Sequence, residues 1–471
     1  MQRVRPRYTT VGLGERNGFN SSGQVANWGI SGVQVMETKA TKIDWKSFRW
    51  SVALPLIMIV YVLAYIDRIN ISFAMGGMTK EMGVTSSAGG MITGVFFIGY
   101  TLLQLPAGHL ASRSSARRNV MVLSVLWSLF SALQGCVHSV TQLVLVRFLL
   151  GTVEGGMFPS LIVLVANWFP PKERGRASGF FTFYLTLAPL VMSPTSGIIL
   201  GHVKWLGWAS WRWLFILEAL PGIFVAIVFY CLVTDNPQDR KKLKPEEREY
   251  LVKALAEEAA QPKVVQDKAY WKAAFRFSFV FLTLGFFFRL IGNYGTQIWM
   301  PTIVKGISGF SDQTVGFILA LPWLSATCGM VVTGWITDHY DCKKRLAVLE
   351  QIVAGLAFLV MYYYGGSNVW ISVGCLIVAI TGMASVAGIY YSLLPQLITK
   401  EMVGGLSGIF AAVSNIGGFI GPSVVGYLIS GGNKLAGMAF LSGMLMVASI
   451  CVALIQVKPA SAPVKSKVAS A

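Results

Sequence analysis

The 471-residue sequence predicts an all-α membrane protein: twelve transmembrane helices in two pseudo-symmetric six-helix bundles. Three observations predict it. Charged residues make up 13% of the chain and hydrophobic residues 54%, whereas a soluble domain carries about 25% charged residues. The apolar residues fall in long blocks, and one crossing needs roughly 20 of them. Two pairs of loop strings recur about 227 residues apart: GHLASRSSARR (108–118) with GWITDHYDCKKR (334–345), and KERGRASG (172–179) with KEMVGGLSG (400–408).

The blocks lie near 51–75, 88–110, 118–138, 141–166, 176–201, 211–233, 276–303, 314–338, 345–364, 369–396, 404–430 and 435–457. They are spans 1 to 12 below. Each is expected to be helical, because a backbone in lipid must satisfy its own hydrogen bonds. The expected organisation is a tail over 1–50, a six-helix bundle over 51–233, a central loop over 234–274, a second bundle over 275–457 and a tail over 458–471. The first tail holds no apolar run of signal-peptide length. Met36 opens an ordinary polar tail, so a translation start there is one expectation. In the central loop, PEEREYLVKALAEEAAQ (245–261) carries charges at i, i+4 spacing and reads as a solvated helix.

The formal charge of +18 is distributed unevenly. Lys and Arg crowd alternate loops: Arg113, Arg117 and Arg118; Lys172, Arg174 and Arg176; the stretch from Arg240 to Lys272; Lys343, Lys344 and Arg345; Lys400. The other loops hold one lysine apiece, Lys80, Lys204, Lys305 and Lys434. This is the positive-inside pattern of a multi-pass protein of the cell membrane with both termini cytoplasmic. It explains the basic excess through the lipid bilayer and without nucleic acid. The six cysteines have no metal-ligand spacing and the four histidines no cluster, so no metal and no cofactor are expected. No HExxH, GxSxG or Walker A string appears, so an enzyme is not expected either.

The informative residues are charges inside the spans. Such a group costs about 2.5–3.5 kcal/mol on insertion scales, so a chain keeps it only paired, solvated or in use. YVLAYIDRINISFA (61–74) places Asp67 and Arg68 side by side in span 1. Helix neighbours point about 100° apart, so each can find its own partner. In span 4, Arg147 and Glu154 are two turns apart on one face, about 10 Å along the axis. Gly151, Gly155 and Gly156 allow close helix approach there or leave room for a ligand. In span 7, Arg289, Asn293 and Gln297 form one stripe at i, i+4, i+8, with Tyr294 one position off it. Structural ion pairs and interhelical polar contacts are the alternatives at each place. Glu218 in span 6 reads as structural. Asn415 in span 11 reads equally as helix packing or as a ligand contact.

These strings carry a resemblance. YIDRINISFA, RFLLGTVEGGMFPS (147–160), NWFPPKERGRASG (167–179), WRWLFILEALPG (211–222) and YGTQIWMPTIV (294–304) together resemble the major facilitator superfamily, within it the anion:cation symporters of bacterial organic-acid permeases. The resemblance implies parallel six-span halves with a site between them. It implies a proton-coupling role for Asp67 and cavity-facing functional roles for Arg147 and Glu154. It implies substrate contacts for Arg68 and Asn415. Arg289 is less clearly a family motif, so this member's own specificity is expected there, with Asn293 and Tyr294 of the same stretch as further substrate contacts. One departure stands out. The family's 2–3 loop usually carries an Asp within G-x-x-x-D-R, and here that place holds Ser112. The second copy keeps it as Asp338, so Asp338 and Arg345 are expected to carry more of the gating.

The expected function is import of an organic anion by proton symport, acting as a monomer through alternating access. Arg68, Arg147 and Arg289 offer forks that match a carboxylate two bonds at a time. Asp67 and Glu154 are the proton sites, with sodium as the alternative coupling ion. Span 5 offers only Thr182, Tyr184 and Thr186 as polar contributors, which favours a compact or aromatic carboxylate over a heavily hydroxylated sugar acid. A uniporter or exchanger of the same anions, or a non-transporting receptor, are the alternatives.

Overall fold

The computed structural model describes residues 45–259, 275–398 and 403–456. The two tails, with Met36, and Lys400 lie outside the described residues. Twelve long helical segments follow in order, and where they begin and end tracks the sequence. Span 1 covers Arg49–Met82 as a π-turn followed by two α-helices, Leu54–Ile69 and Ile71–Met82, which meet at Asn70. Span 2 is Ser86–Arg113, capped at its start by the Thr85 hydroxyl, which accepts from Ala88 N. Span 3 is Ala116–Gln134. Span 4 comprises Val140–Gly155 and Met157–Trp168, span 5 Pro171–Thr182 and Tyr184–His202, and span 6 Ser210–Leu232. After the connecting helix Pro245–Ala259 come Phe277–Ser308, Asp312–His339, Lys343–Tyr364, Val369–Leu397, Val403–Ser430 and Ala436–Leu454, spans 7 to 12.

Eleven of these are long and apolar enough to cross a bilayer by composition alone, and span 3 falls short. Its first turn reads ARRN, and Ser124, Ser128 and Ser131 are buried against its neighbours. Span 3 is therefore read as a crossing from its place between spans 2 and 4 rather than from hydropathy.

The halves meet through spans 2 and 11 and through spans 5 and 8, always toward the end away from the basic loops. A Cβ on Gly90 would stand 2.4 Å from the Pro422 carbonyl oxygen, and one on Gly316 2.4 Å from that of Ser193. Only glycine permits these approaches. Nearer the basic end the recorded polar contact between halves is Asn415 Nδ2 donating to Gln104 Oε1 at 3.0 Å.

The basic end of the first half is tied down by polar contacts. Asp235, just past span 6, accepts from Ser115 Oγ at 2.6 Å and from Arg117 N at 2.8 Å, capping span 3. The connecting helix joins the start of span 1 and the entrance to span 5. Arg49 bonds both Glu173 at 3.0 Å and Glu247 at 2.9 Å, and Tyr250 donates to Glu173 at 3.0 Å.

Candidate functional site

A cavity of about 60 Å³ lies between the halves at mid-depth. Span 1 lines it with Tyr61, Tyr65 and Arg68, three residues at i, i+4, i+7 on one face. Spans 2 and 5 add Tyr100, Gln104 and Tyr184. Span 7 contributes Arg289, Asn293 and Tyr294, and spans 10 and 11 add Tyr391 and Asn415. The structure thus brings together five of the expected substrate contacts, Arg68, Arg289, Asn293, Tyr294 and Asn415.

Arg68 is the centre of the first half's wall. Its Nη2 donates to Glu154 Oε2 at 2.8 Å and its Nε to the same oxygen at 3.0 Å. Its guanidinium carbon sits 4.6 Å from the Tyr100 ring centroid and 5.1 Å from that of Tyr65. Aromatic faces and one carboxylate therefore stabilise a cation that is largely buried. Glu154 is fully buried, and its second oxygen, Oε1, has no hydrogen-bond partner among the described residues.

Asp67 and Arg68 point apart, as helix geometry requires. Asp67 turns away from the cavity and accepts from Trp127 Nε1 and Ser131 Oγ of span 3, each at 2.7 Å. Arg147 is also placed differently from the expectation of a substrate contact. It is fully buried behind span 1 and donates to the backbone carbonyls of Arg68 at 3.0 Å and Asp67 at 3.4 Å, and to Gln134 Oε1 at 3.3 Å. Those carbonyls flank the irregular turn at Asn70, where backbone acceptors need outside donors. Arg147 thus orients Arg68 and does not line the cavity.

The span 4 glycines close space instead of opening it. A Cβ on Gly151 would stand 2.0 Å from the Phe96 carbonyl oxygen and one on Gly155 2.3 Å from that of Tyr100. Span 4 therefore packs tightly on span 2, which sets Glu154 beside Arg68.

Across the cavity, Arg289 differs from Arg68. It donates to the carbonyl of Met383 through Nε at 2.8 Å and Nη2 at 2.5 Å. No carboxylate stands within ion-pair distance of it among the described residues. The stripe on span 7 is realised: Asn293 lines the cavity, and Gln297 Oε1 accepts from Tyr65 at 3.2 Å. Of the three polar residues of span 5, Tyr184 lines the cavity, whereas Thr182 and Thr186 bond the nearby carbonyls of Gly179 and Phe183. Asp338 and Arg345 are both exposed at the basic end and form no ion pair with each other among the described residues. The Ser112 side chain lies outside those described.

Sequence reasoning missed Tyr61, Tyr65, Tyr100, Gln104 and Tyr391. The first two share a face with Arg68, a signal the sequence does carry. Gln104 and Tyr391 sit among other polar residues of spans 2 and 10, and the assembly of the halves shows their common target.

Comparisons with known proteins bear on the family and the fold. The sequence pattern of the Major Facilitator Superfamily matches residues 57–422. An Agrobacterium vitis protein named for tartrate transport is 31% identical over 84% of this chain and 91% of its own length. A quinolone resistance transporter of Acinetobacter baumannii is 28% identical over 86% of this chain and 93% of its own. Among solved structures, a bacterial homolog of the human lysosomal transporter Spinster, inward-facing and occupied, superimposes with a TM-score of 0.71 at 16% identity, covering 87% of this chain and 97% of that one. The chain belongs to the Major Facilitator Superfamily, a family of multi-pass membrane transporters and not of enzymes.

Proposed function

We propose that this transporter imports a small organic anion by proton symport, across a cell membrane in which its basic end faces the cytoplasm. The observation that carries the reading is the asymmetry of the two cavity arginines. Arg68 is neutralised by Glu154 and Arg289 is not. A carboxylate entering the cavity meets Arg289 as a cation that no carboxylate ion-pairs among the described residues, Glu350 acting on it only from a longer distance. A proton arriving on Glu154 removes its charge and frees Arg68 for the same anion. Proton and substrate therefore favour each other's binding, and by linkage the favour is mutual. The loaded cavity carries less net charge than the anion brings, which matters because the membrane potential opposes an entering anion by about 2.3 kcal/mol per charge per 100 mV.

Asp67 is the second coupling acid, acting on the same segment of span 1 from behind. Arg147 positions that segment. The closest backbone approaches between the halves lie toward the far end, which suits the inward-facing stage of a rocking cycle. Names among the relatives support the ligand class, since tartrate and quinolones both carry a carboxylate. The aromatic lining and small volume favour a compact carboxylate, bound as one protein molecule's cargo.

Uptake of radiolabelled tartrate into proteoliposomes, followed by a panel of other carboxylates, tests the reading. An inward proton gradient is expected to drive accumulation that an uncoupler collapses. Uptake indifferent to the proton gradient, and to a sodium gradient in its place, assigns exchange or uniport instead.

A further inference from the structure

The coupling scheme leaves the buried acid of span 6 unused. Glu218 of span 6 is 8% exposed. Its Oε1 accepts from Ser196 Oγ at 2.7 Å, and its Oε2 has no partner among the described residues. No cation stands within ion-pair distance of it among those residues. A buried acid with one hydrogen bond and no counter-ion is a poor structural device, because its charged form is left without compensation.

Its surroundings are informative. Asn70 and Thr195 flank the carboxyl, and Asp67 lies close enough for the two acids to repel. Asn70 Nδ2 donates to Asp67 Oδ1 at 3.4 Å, while Asn70 Oδ1 has no partner. A proton on Glu218 would give that orphaned oxygen a donor nearby. The neighbouring faces of spans 3 and 5 offer Trp127, Ser128, Thr195 and Ser196 but no charge, and Arg147 stands beyond Asp67. A second cavity begins about two turns farther along span 6. This one, of about 1030 Å³, opens at the end away from the basic loops and is lined by Ser72 and Trp211 among others. Ser72 follows Asn70 by two residues, and its buried hydroxyl is likewise unpartnered. Trp211 is two turns of span 6 above Glu218, about 10 Å along the axis.

We infer that Glu218 is a third proton-carrying carboxyl, which passes protons between this outer vestibule and Asp67. An O–H bond breaks on Glu218 as one forms on Asp67, and the resulting Glu218 carboxylate takes its next proton from vestibule water. Asn70 holds the two carboxyls side by side and bonds whichever is charged. Alternation is preserved, because the route opens to the vestibule and not to the basic end.

The inference rests on the symport reading, and the experiment separates the two. Full-length Glu218→Gln is reconstituted and assayed with radiolabelled tartrate, or the panel member that the wild type carries. Counterflow exchange is expected to persist with a flattened pH profile, while proton-driven accumulation and substrate-driven proton movement are lost. Glu218→Asp is expected to restore part of both. A Glu218→Gln variant that accumulates like wild type with an unchanged pH profile overturns the relay. A wild type that shows no proton-driven accumulation overturns the symport reading, and the relay with it. If Glu218→Gln does not fold, Ser196→Ala strips the carboxyl of the hydroxyl that donates to its Oε1. It is then expected to shift the pH profile of accumulation and leave counterflow intact, and an unshifted profile overturns the relay.

Discussion

Asp67 and Arg68 are adjacent in the chain and face different neighbours. Arg68 looks into the cavity and bonds Glu154 at 2.8 Å, whereas Asp67 bonds Trp127 and Ser131 of span 3. One helical step thus joins a cavity-lining cation to an acid that does not line the cavity. Any coupling between them runs through span 1 itself and through Arg147, which holds the carbonyls of both residues.

The Arg68–Glu154 pair gives the first prediction. Arg68→Ala leaves Glu154 buried without its counter-ion and is expected to destabilise the protein by about 3–5 kcal/mol. The double variant Arg68→Leu, Glu154→Leu removes both charges and is expected to recover most of that loss while transporting nothing. Denaturation of the purified variants in detergent reads the first effect, and proteoliposome uptake reads the second. A double variant no more stable than Arg68→Ala contradicts the pairing.

Arg147 and Arg289 are expected to fail in different ways. Arg289→Ala removes a charged donor pair from the cavity wall, and about 1.5–3 kcal/mol of binding corresponds to a rise in KM of about tenfold or more. It is also expected to lose some thermal stability, because the buried Met383 carbonyl loses its donors. Arg147→Met strips the turn at Asn70 of its donors and is expected to lower melting temperature and transport together. Parallel melting curves and uptake kinetics for the two variants check the split.

Much of this was legible in the sequence, for physical reasons. The spans were legible because lipid demands long apolar helices, and the predicted blocks fall within a few residues of the observed helices for most of the twelve. Span 3 shows the limit of hydropathy, because its polar first turn and serines serve neighbours inside the protein. The cavity face of span 7 was legible from the i, i+4, i+8 stripe. Spacing could not reveal direction relative to the other half. Arg147 looks like Arg289 in sequence, yet it meets span 1's backbone. Ser112 signalled that the usual loop acid was missing. The cap that Asp235 supplies to span 3 comes from 120 residues away, and no local pattern announces it.

The connecting helix yields a third prediction. Burial and the neighbouring Glu173 carboxylate push the Tyr250 phenol above its ordinary range, so it remains a donor at neutral pH and well above it. Arg49 links Glu173 to Glu247 and so fastens the helix to spans 1 and 5. Glu173→Ala removes the acceptor shared by Arg49, Trp50 and Tyr250. Limited trypsin digestion is expected to cut at Lys253 faster in that variant than in wild type, because the loosened helix frays. Equal cleavage rates contradict a fastening role.

The contact between the halves gives the last prediction. Gly90 of span 2 meets Pro422 of span 11 so closely that a single added carbon would stand 2.4 Å from a backbone oxygen. Backbone cannot yield as a flexible side chain can, so Gly90→Ala must push the two spans apart at the end away from the basic loops. The state in which the halves are open at the basic end depends on that contact, while the oppositely opened state does not. The substitution therefore raises the free energy of one state and leaves the other, and the population shifts accordingly. In a background with the six native cysteines replaced, maleimide is expected to label Thr302→Cys in the outer vestibule faster when Gly90→Ala is present. Labelling of Tyr391→Cys in the central cavity from the basic side is expected to slow in step. A change at one site without the opposite change at the other would mean local loosening and not a shift between two states of the whole transporter.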